Sequence, residues 1–237
     1  MGLGRVAVTM AAAAFWLVGC AKPEIPYDRS SSADVKSIGI VTPLFPDRPT
    51  VFLASTVGQS FGLIGAMVDS GMQSSRETKF KAALDQQSFS APDIFIKCVT
   101  EQLQSEGYTV TIVPVKRDSF DFLAHYPTDA ESKVDAYLDL VTTAYGYAAA
   151  GVRASTPYRP AFVVRAKLVR ASDASVLMQD LVIYNPINAT KKAITIAPDA
   201  SYQFKDFDAL VADPENAAKG LRVAIEQSTL TMTKLLK

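Results

Sequence analysis

Three runs between Val134 and Tyr184 constrain the fold more than any other part of the chain. Val134, Ala136, Leu138 and Leu140 alternate with Asp135, Tyr137, Asp139 and Val141. Val164, Ala166 and Leu168 alternate with Val163, Arg165, Lys167 and Val169, and Val176–Tyr184 follows a turn at Ala171–Ala174. A period of two is the period of a strand. Connections this short make consecutive strands antiparallel neighbours. Asp135 and Asp139 are expected to meet Arg165 and Lys167 across the sheet as opposite-charge pairs, on a face that is solvated or covered by a loop.

Around these runs the pattern changes. Asp34–Thr42 reads as a buried strand, closed by Pro43, Pro46 and Pro49 in a stiff loop, and Val51–Ala54 as a short strand. Ser74–Gln87 is a charged amphipathic helix. Ala91–Glu106 is a helix with Pro92 at its first position, Asp93 at its positive end and Gly107 just past its end. Its stripe of Ile94, Phe95, Cys98, Val99 and Leu103 puts Cys98 in the core. Tyr108–Val115 is a strand, and a polar loop carrying His125 follows. Asn185–Asp206 reads as mostly irregular. Asp213 and Pro214 cap and open a last helix that runs to Leu236. This order predicts one α+β domain over 34–237: a mixed, mainly antiparallel sheet with helices packed on a face and a C-terminal helix.

The N-terminal residues carry a different message. Arg5 precedes an uncharged run, Val6–Val18, of about 13 residues, short of the roughly 20 that span a bilayer. The run ends in Leu17-Val18-Gly19-Cys20. That motif resembles the lipobox of bacterial lipoproteins. The resemblance implies a signal peptide over 1–19, acylation of Cys20, and a membrane anchor of two or three acyl chains. Ala21, where Asp commonly retains a Gram-negative lipoprotein at the inner membrane, implies an outer-membrane address facing the periplasm. Residues 20–33, with two prolines and Ser30-Ser31-Ser32, read as the lipidated Cys and a flexible tether. The domain that follows loosely resembles periplasmic domains of envelope-assembly and secretion lipoproteins, such as the curli-secretion lipoprotein.

Composition narrows the function. Removing 1–19 takes Arg5 from the 24 Lys and Arg, leaving 23 against 24 Asp and Glu and a formal charge of −1. Such a chain has no electrostatic footprint for nucleic acid. The two Cys and the single His, His125, form no zinc-ligand spacing, and no phosphate- or dinucleotide-binding glycine pattern is present, so no metal or cofactor is expected. With Cys20 acylated, Cys98 has no partner in the chain, and no neighbour would make it reactive.

Two motifs remain. Gly58-Gln59-Ser60-Phe61-Gly62 matches the nucleophile elbow of α/β-hydrolases. Its base would have to be His125, with Asp93, Asp118 or Asp121 as the acid, and His125 precedes three strands, whereas in that family the His comes late. Asp118 with Asp121, and Asp206 with Asp208, are short acidic pairs on loops. Between Arg48 and Asp69 there is no charge, and Gly58, Gly62, Ala66 and Ser70 recur every four residues. On a helix they form one smooth face, either a contact for a protein partner through Val57–Met72 or tight packing on the sheet. The expected function is non-enzymatic: a binding or scaffold subunit of an envelope assembly. A serine hydrolase at Ser60 and a carrier of an apolar ligand are the alternatives. The oligomeric state is left open.

Overall fold

The structure, a computed structural model, describes residues 25–54, 70–117, 119–127, 133–151, 156–187 and 192–236, with side chains in the first helix from residue 73. Among the described residues seven strands form one mixed sheet: β1 (Ser37–Val41), β2 (Thr50–Leu53), β3 (Thr109–Val113), β4 (Ala136–Ala149), β5 (Arg159–Arg170), β6 (Val176–Tyr184) and β7 (Ile194–Ile196). Four helices accompany it: α1 (Ser70–Asp85), α2 (Ala91–Ser105), α3 (Phe207–Ala212) and α4 (Pro214–Lys234). The strand order is β3-β1-β4-β5-β6-β7, with β2 also on β4. The two longest pairings, β4 with β5 and β5 with β6, are antiparallel, as the short connections require. The remaining pairings, β1 with β3 and β4, β2 with β4, and β6 with β7, are parallel.

β4 sits at the centre and is buried along nearly all of its length on both faces. One of its edges is shared. β1 pairs with Ala136–Leu138, β2 pairs with Gly146–Ala149, and Leu44 bridges between them, donating to Leu140 O at 3.0 Å and accepting from Thr142 N at 2.8 Å. The prolines at 43, 46 and 49 lie in the loop that leaves this edge and returns to it, where no ladder donor is needed. Gly146 permits the return. Its φ is +149°, and a Cβ there would lie 2.0 Å from Thr50 O.

α2 and α4 cover one face. Phe95, Val99 and Leu103 from α2, with Ala224, Ile225 and Met232 from α4, pack on Ile38, Ile40, Leu138, Leu140, Val164 and Leu168. α4 begins as the sequence indicates, and α2 within one residue of it. Ser90 Oγ accepts from Asp93 N and Asp213 Oδ1 from Asn216 N, and Gly107 ends α2 at φ +91°. Near the start of α4 the buried Tyr147 hydroxyl donates to Ala217 O at 3.2 Å. Gly220 makes room for it, since a Cβ there would sit 2.4 Å from the Tyr147 oxygen.

Four expectations change. The tether reading of 20–33 gives way from Ile25 onward: Ile25 exchanges two backbone hydrogen bonds with Gln179 of β6, each 2.9 Å. Arg170 then holds the next stretch through Ser31 O, at 3.0 Å, and Asp34. Cys98 is half-buried beside the core rather than within it. Residues 185–206 contain β7 and a short 3-10 turn at Ala200–Tyr202. Pro92 takes the second position of α2, which starts at Ala91.

The close approach at Gly146 yields a direct test. Gly146→Ala is expected to lose about 1–3 kcal/mol, the usual cost of a backbone forced from its site. Urea unfolding should show a lower midpoint, whereas Gly107→Ala, with nothing within 4 Å of its Cβ, carries only the strain of its positive φ.

Candidate functional site

The charged face of the sheet is covered by a loop. Asp139 is fully buried and lies opposite Lys167 in register, as expected, but its ionic partner is Arg117. Arg117 Nη2 donates to Asp139 Oδ1 at 2.6 Å, while Leu123 N and the Tyr126 hydroxyl donate to Oδ2 at 2.8 and 2.9 Å. Arg117 also donates to Thr42 O and Asp121 O, both at 3.1 Å. Arg165 pairs with Asp121 at 2.9 Å and lies 4.4 Å from the Phe122 ring centre, with Lys167 4.7 Å from the same ring. Tyr126 stacks on Tyr137 at 5.7 Å. Burial, then the charge of Asp139, drives the Tyr126 hydroxyl far above the ordinary phenol range. Both oxygens of Asp139 are occupied by donors from the loop, so these charges hold the loop on the sheet.

Asp135 does similar work at the start of β4. Its Oδ2 accepts from Lys36 N, Ser37 N and Ser37 Oγ, each at 2.8 Å. Burial pushes its carboxyl upward, but these hydrogen bonds outweigh burial and leave it below the ordinary value.

The other sequence candidates are dispersed. His125 is exposed on the covering loop. Ser60, Cys20 and Asp118 lie outside the described residues, as do 57–69 of the Val57–Met72 segment and the side chains of 70–72. Asp121 is tied to Arg165, Asp206 caps α3 by accepting from Ala209 N at 2.8 Å, and Asp93 and Asp208 are exposed. The Cys98 thiol is raised above its ordinary value by burial, then by Glu226 and Glu101, which keeps it protonated. Among the described residues no group of three His, Cys, Asp or Glu could hold a metal ion, and no helix is long and apolar enough to cross a membrane.

The feature sequence reasoning missed is a cleft of about 360 Å³ where the proline loop faces the corner between α1 and α2. Its floor is aromatic. Phe45 meets Phe95 edge-on at 5.5 Å and Tyr145 at 6.0 Å. Phe45 and Phe89 are partly buried against the core, and Tyr145 is 9% exposed. The Tyr145 hydroxyl has no hydrogen bond among the described residues, and burial, then Asp85 and Asp47, pushes its pKa up to about 12. On the rim, Lys81 donates to both oxygens of Asp85, at 2.9 and 2.8 Å, while Asp47 has no ionic partner among the described residues. The one hint in the sequence was the run Pro43–Pro49 with Phe45 inside it.

No family model matches the chain. No curated protein matches it either. Among solved structures it is similar to the crystal structure of protein XCC0632 from Xanthomonas campestris, of the family model DUF330. The two share 12% identity over 90% of this chain and 85% of that one, with a TM-score of 0.42.

Two outcomes follow from the charged face. Asp139→Ala leaves Arg117 buried without its carboxylate and is expected to cost about 3–5 kcal/mol, whereas the double change Arg117→Met with Asp139→Leu costs less than the single. Thermal unfolding of the three proteins decides this. Asp135, with a lowered folded value, contributes stability that is present above the unfolded carboxyl value of about 3.9 and lost as pH falls through the folded one. The stability gap between the native protein and Asp135→Asn should therefore be constant from about pH 5 to 7 and close on acidification.

Proposed function

We propose that the protein is a lipid-anchored subunit of a bacterial envelope assembly, acylated on Cys20 and facing the periplasm from the outer membrane, where it binds or scaffolds a protein partner without catalysing a reaction. The observation that carries this reading is Leu17-Val18-Gly19-Cys20, separated by four residues from a residue fixed to the sheet. Ala21–Glu24 separate Cys20 from Ile25, so the leash from the acylated residue to β6 reaches about 17 Å at full extension. An acyl anchor at Cys20 would thus hold the whole domain close to the membrane surface. The β6 edge, rather than a long tether, would then set its distance. Ala21 supports the outer-membrane address, and Val57–Met72 is a candidate partner contact by its uncharged, small-residue composition.

Metabolic labelling with alkyne-palmitate in a bacterial host is expected to mark the native protein and to leave Cys20→Ala unmarked. An exported native protein that takes up no label overturns the anchor. A native complex well above the 25.5 kDa of the chain in mild detergent is expected for an assembly subunit, and a monodisperse monomer in native extracts counts against that role.

A further inference from the structure

We propose that the cleft between the Pro43–Pro49 loop and the α1–α2 corner receives an arginine side chain presented by a partner polypeptide. This rests on the reading of the protein as a binding subunit and names the chemistry of one contact. The cleft is at the small end of ligand-site volumes, about 360 Å³, enough for one long side chain and its neighbours rather than for a folded domain. Its walls and rim favour a cation on an apolar stem. Phe45 and Phe89 line it with partly buried rings, and among the described residues neither has a cation over it. Elsewhere in the same molecule such rings are met by cations: Phe122 by Arg165 and Lys167, and Phe207 by Arg76 at 5.7 Å.

The charge balance agrees. Of the three charged residues on the cleft, Lys81 and Asp85 neutralise one another through two hydrogen bonds, which leaves the carboxylate of Asp47 uncompensated. The neighbouring Arg48 is directed to α1, where it donates to Thr78 Oγ1 at 3.1 Å and Ser74 Oγ at 3.4 Å. Tyr145, a residue 9% exposed, lines the cleft with a hydroxyl that has no hydrogen bond among the described residues and can serve as an acceptor. A guanidinium matches this set better than an ammonium. It is planar, stacks on aromatic faces, and offers several donors at once to a carboxylate and a hydroxyl. Proline at 46 and 49 fixes the wall, so little order has to be created on binding.

The test uses the full protein purified in mild detergent and three probes: acetyl-Gly-Arg-Gly-amide, the same peptide with citrulline for arginine, and methylguanidinium. Binding is followed by calorimetry or NMR. The arginine peptide is expected to bind at least about tenfold more tightly than the uncharged citrulline peptide, the usual worth of a charge-assisted contact. Asp47→Asn should erase most of that difference. Tyr145→Phe should weaken the arginine peptide about threefold while leaving the thermal midpoint unchanged, because that hydroxyl holds nothing in the fold. Equal binding of the arginine and citrulline peptides, or no binding of either at millimolar concentration, overturns the proposal. Methylguanidinium binding as tightly as the peptide also overturns it, by making the cleft a small-molecule site. The palmitate label on Cys20 is indifferent to all of these results, so failure here and failure of the anchor are separate outcomes.

Discussion

Everything in this domain hangs on the two saturated edges of β4. Twelve of its residues pair with β5 in one continuous antiparallel ladder, broken only by the bulge between Thr142 and Ala144. On the other edge no single strand is long enough to match it, so β1 and β2 divide the length, with Leu44 bridging the gap. A strand paired on both edges and covered on both faces has no solvent-facing side. Alternation of apolar and polar residues along it therefore cannot mean inside and outside. It means two kinds of interior: the apolar one under α2 and α4, and a second under the loop that follows β3.

The second interior is expensive. Placing the Asp139 carboxylate out of water costs several kcal/mol, which only a close partner and filled lone pairs offset. Arg117, Leu123 N and the Tyr126 hydroxyl supply that compensation, and all three come from the covering loop. The buried charge thus gives the loop a single place to lie. Leu123 and Tyr126 then pack with Val41, Val113, Val134 and Tyr137 to exclude water from it. A hydrophobic residue at 139 would bury more cheaply but would leave a polar loop with nothing specific to bind. The pair is better understood as a device for conformational choice than for stability.

This division explains what was legible in the sequence. The ladder β4-β5-β6 was readable because its alternation and short connections are local properties. The end of α2 and the start of α4 were readable because Gly107, Asp213 and Pro214 act within one turn, and Pro92 placed the start of α2 to within one residue. The α+β class followed from the order of those elements. Asp135 and Asp139 were read as meeting Arg165 and Lys167; the register sets Asp139 opposite Lys167 but Val141 opposite Arg165, and the ionic partner of Asp139 lies on a loop whose path no local pattern specifies. β7 has three residues and exists only because β6 offers it an edge, so nothing within Ile194–Ile196 announces it. The pairing of Ile25 with Gln179 spans most of the chain, and a stretch rich in proline and serine gives no period by which to foresee it. The cleft was hidden for the same reason: Phe45, Phe89 and Tyr145 are far apart in sequence, and only the split edge of β4 brings them together.

The split edge also sets where the cleft lies relative to the point at which the chain joins the sheet. Tyr145 pairs with Phe162 of β5, and Gln179, which holds Ile25, pairs with Lys167 of the same strand. Five residues along a strand are about 17 Å, and the steps from β4 across β5 and β6 to Ile25 are about 14 Å. The two points therefore stand diagonally across three neighbouring strands, farther apart than the about 17 Å that four intervening residues can span. Were the chain anchored at Cys20, as proposed, lipid would draw the β6 edge toward the membrane and leave the proline loop and the corner between α1 and α2 farther from it. A long tether would leave the domain free to present either flank. A leash this short would couple position to orientation, so that a partner of the proposed cleft would approach from the side away from the anchor.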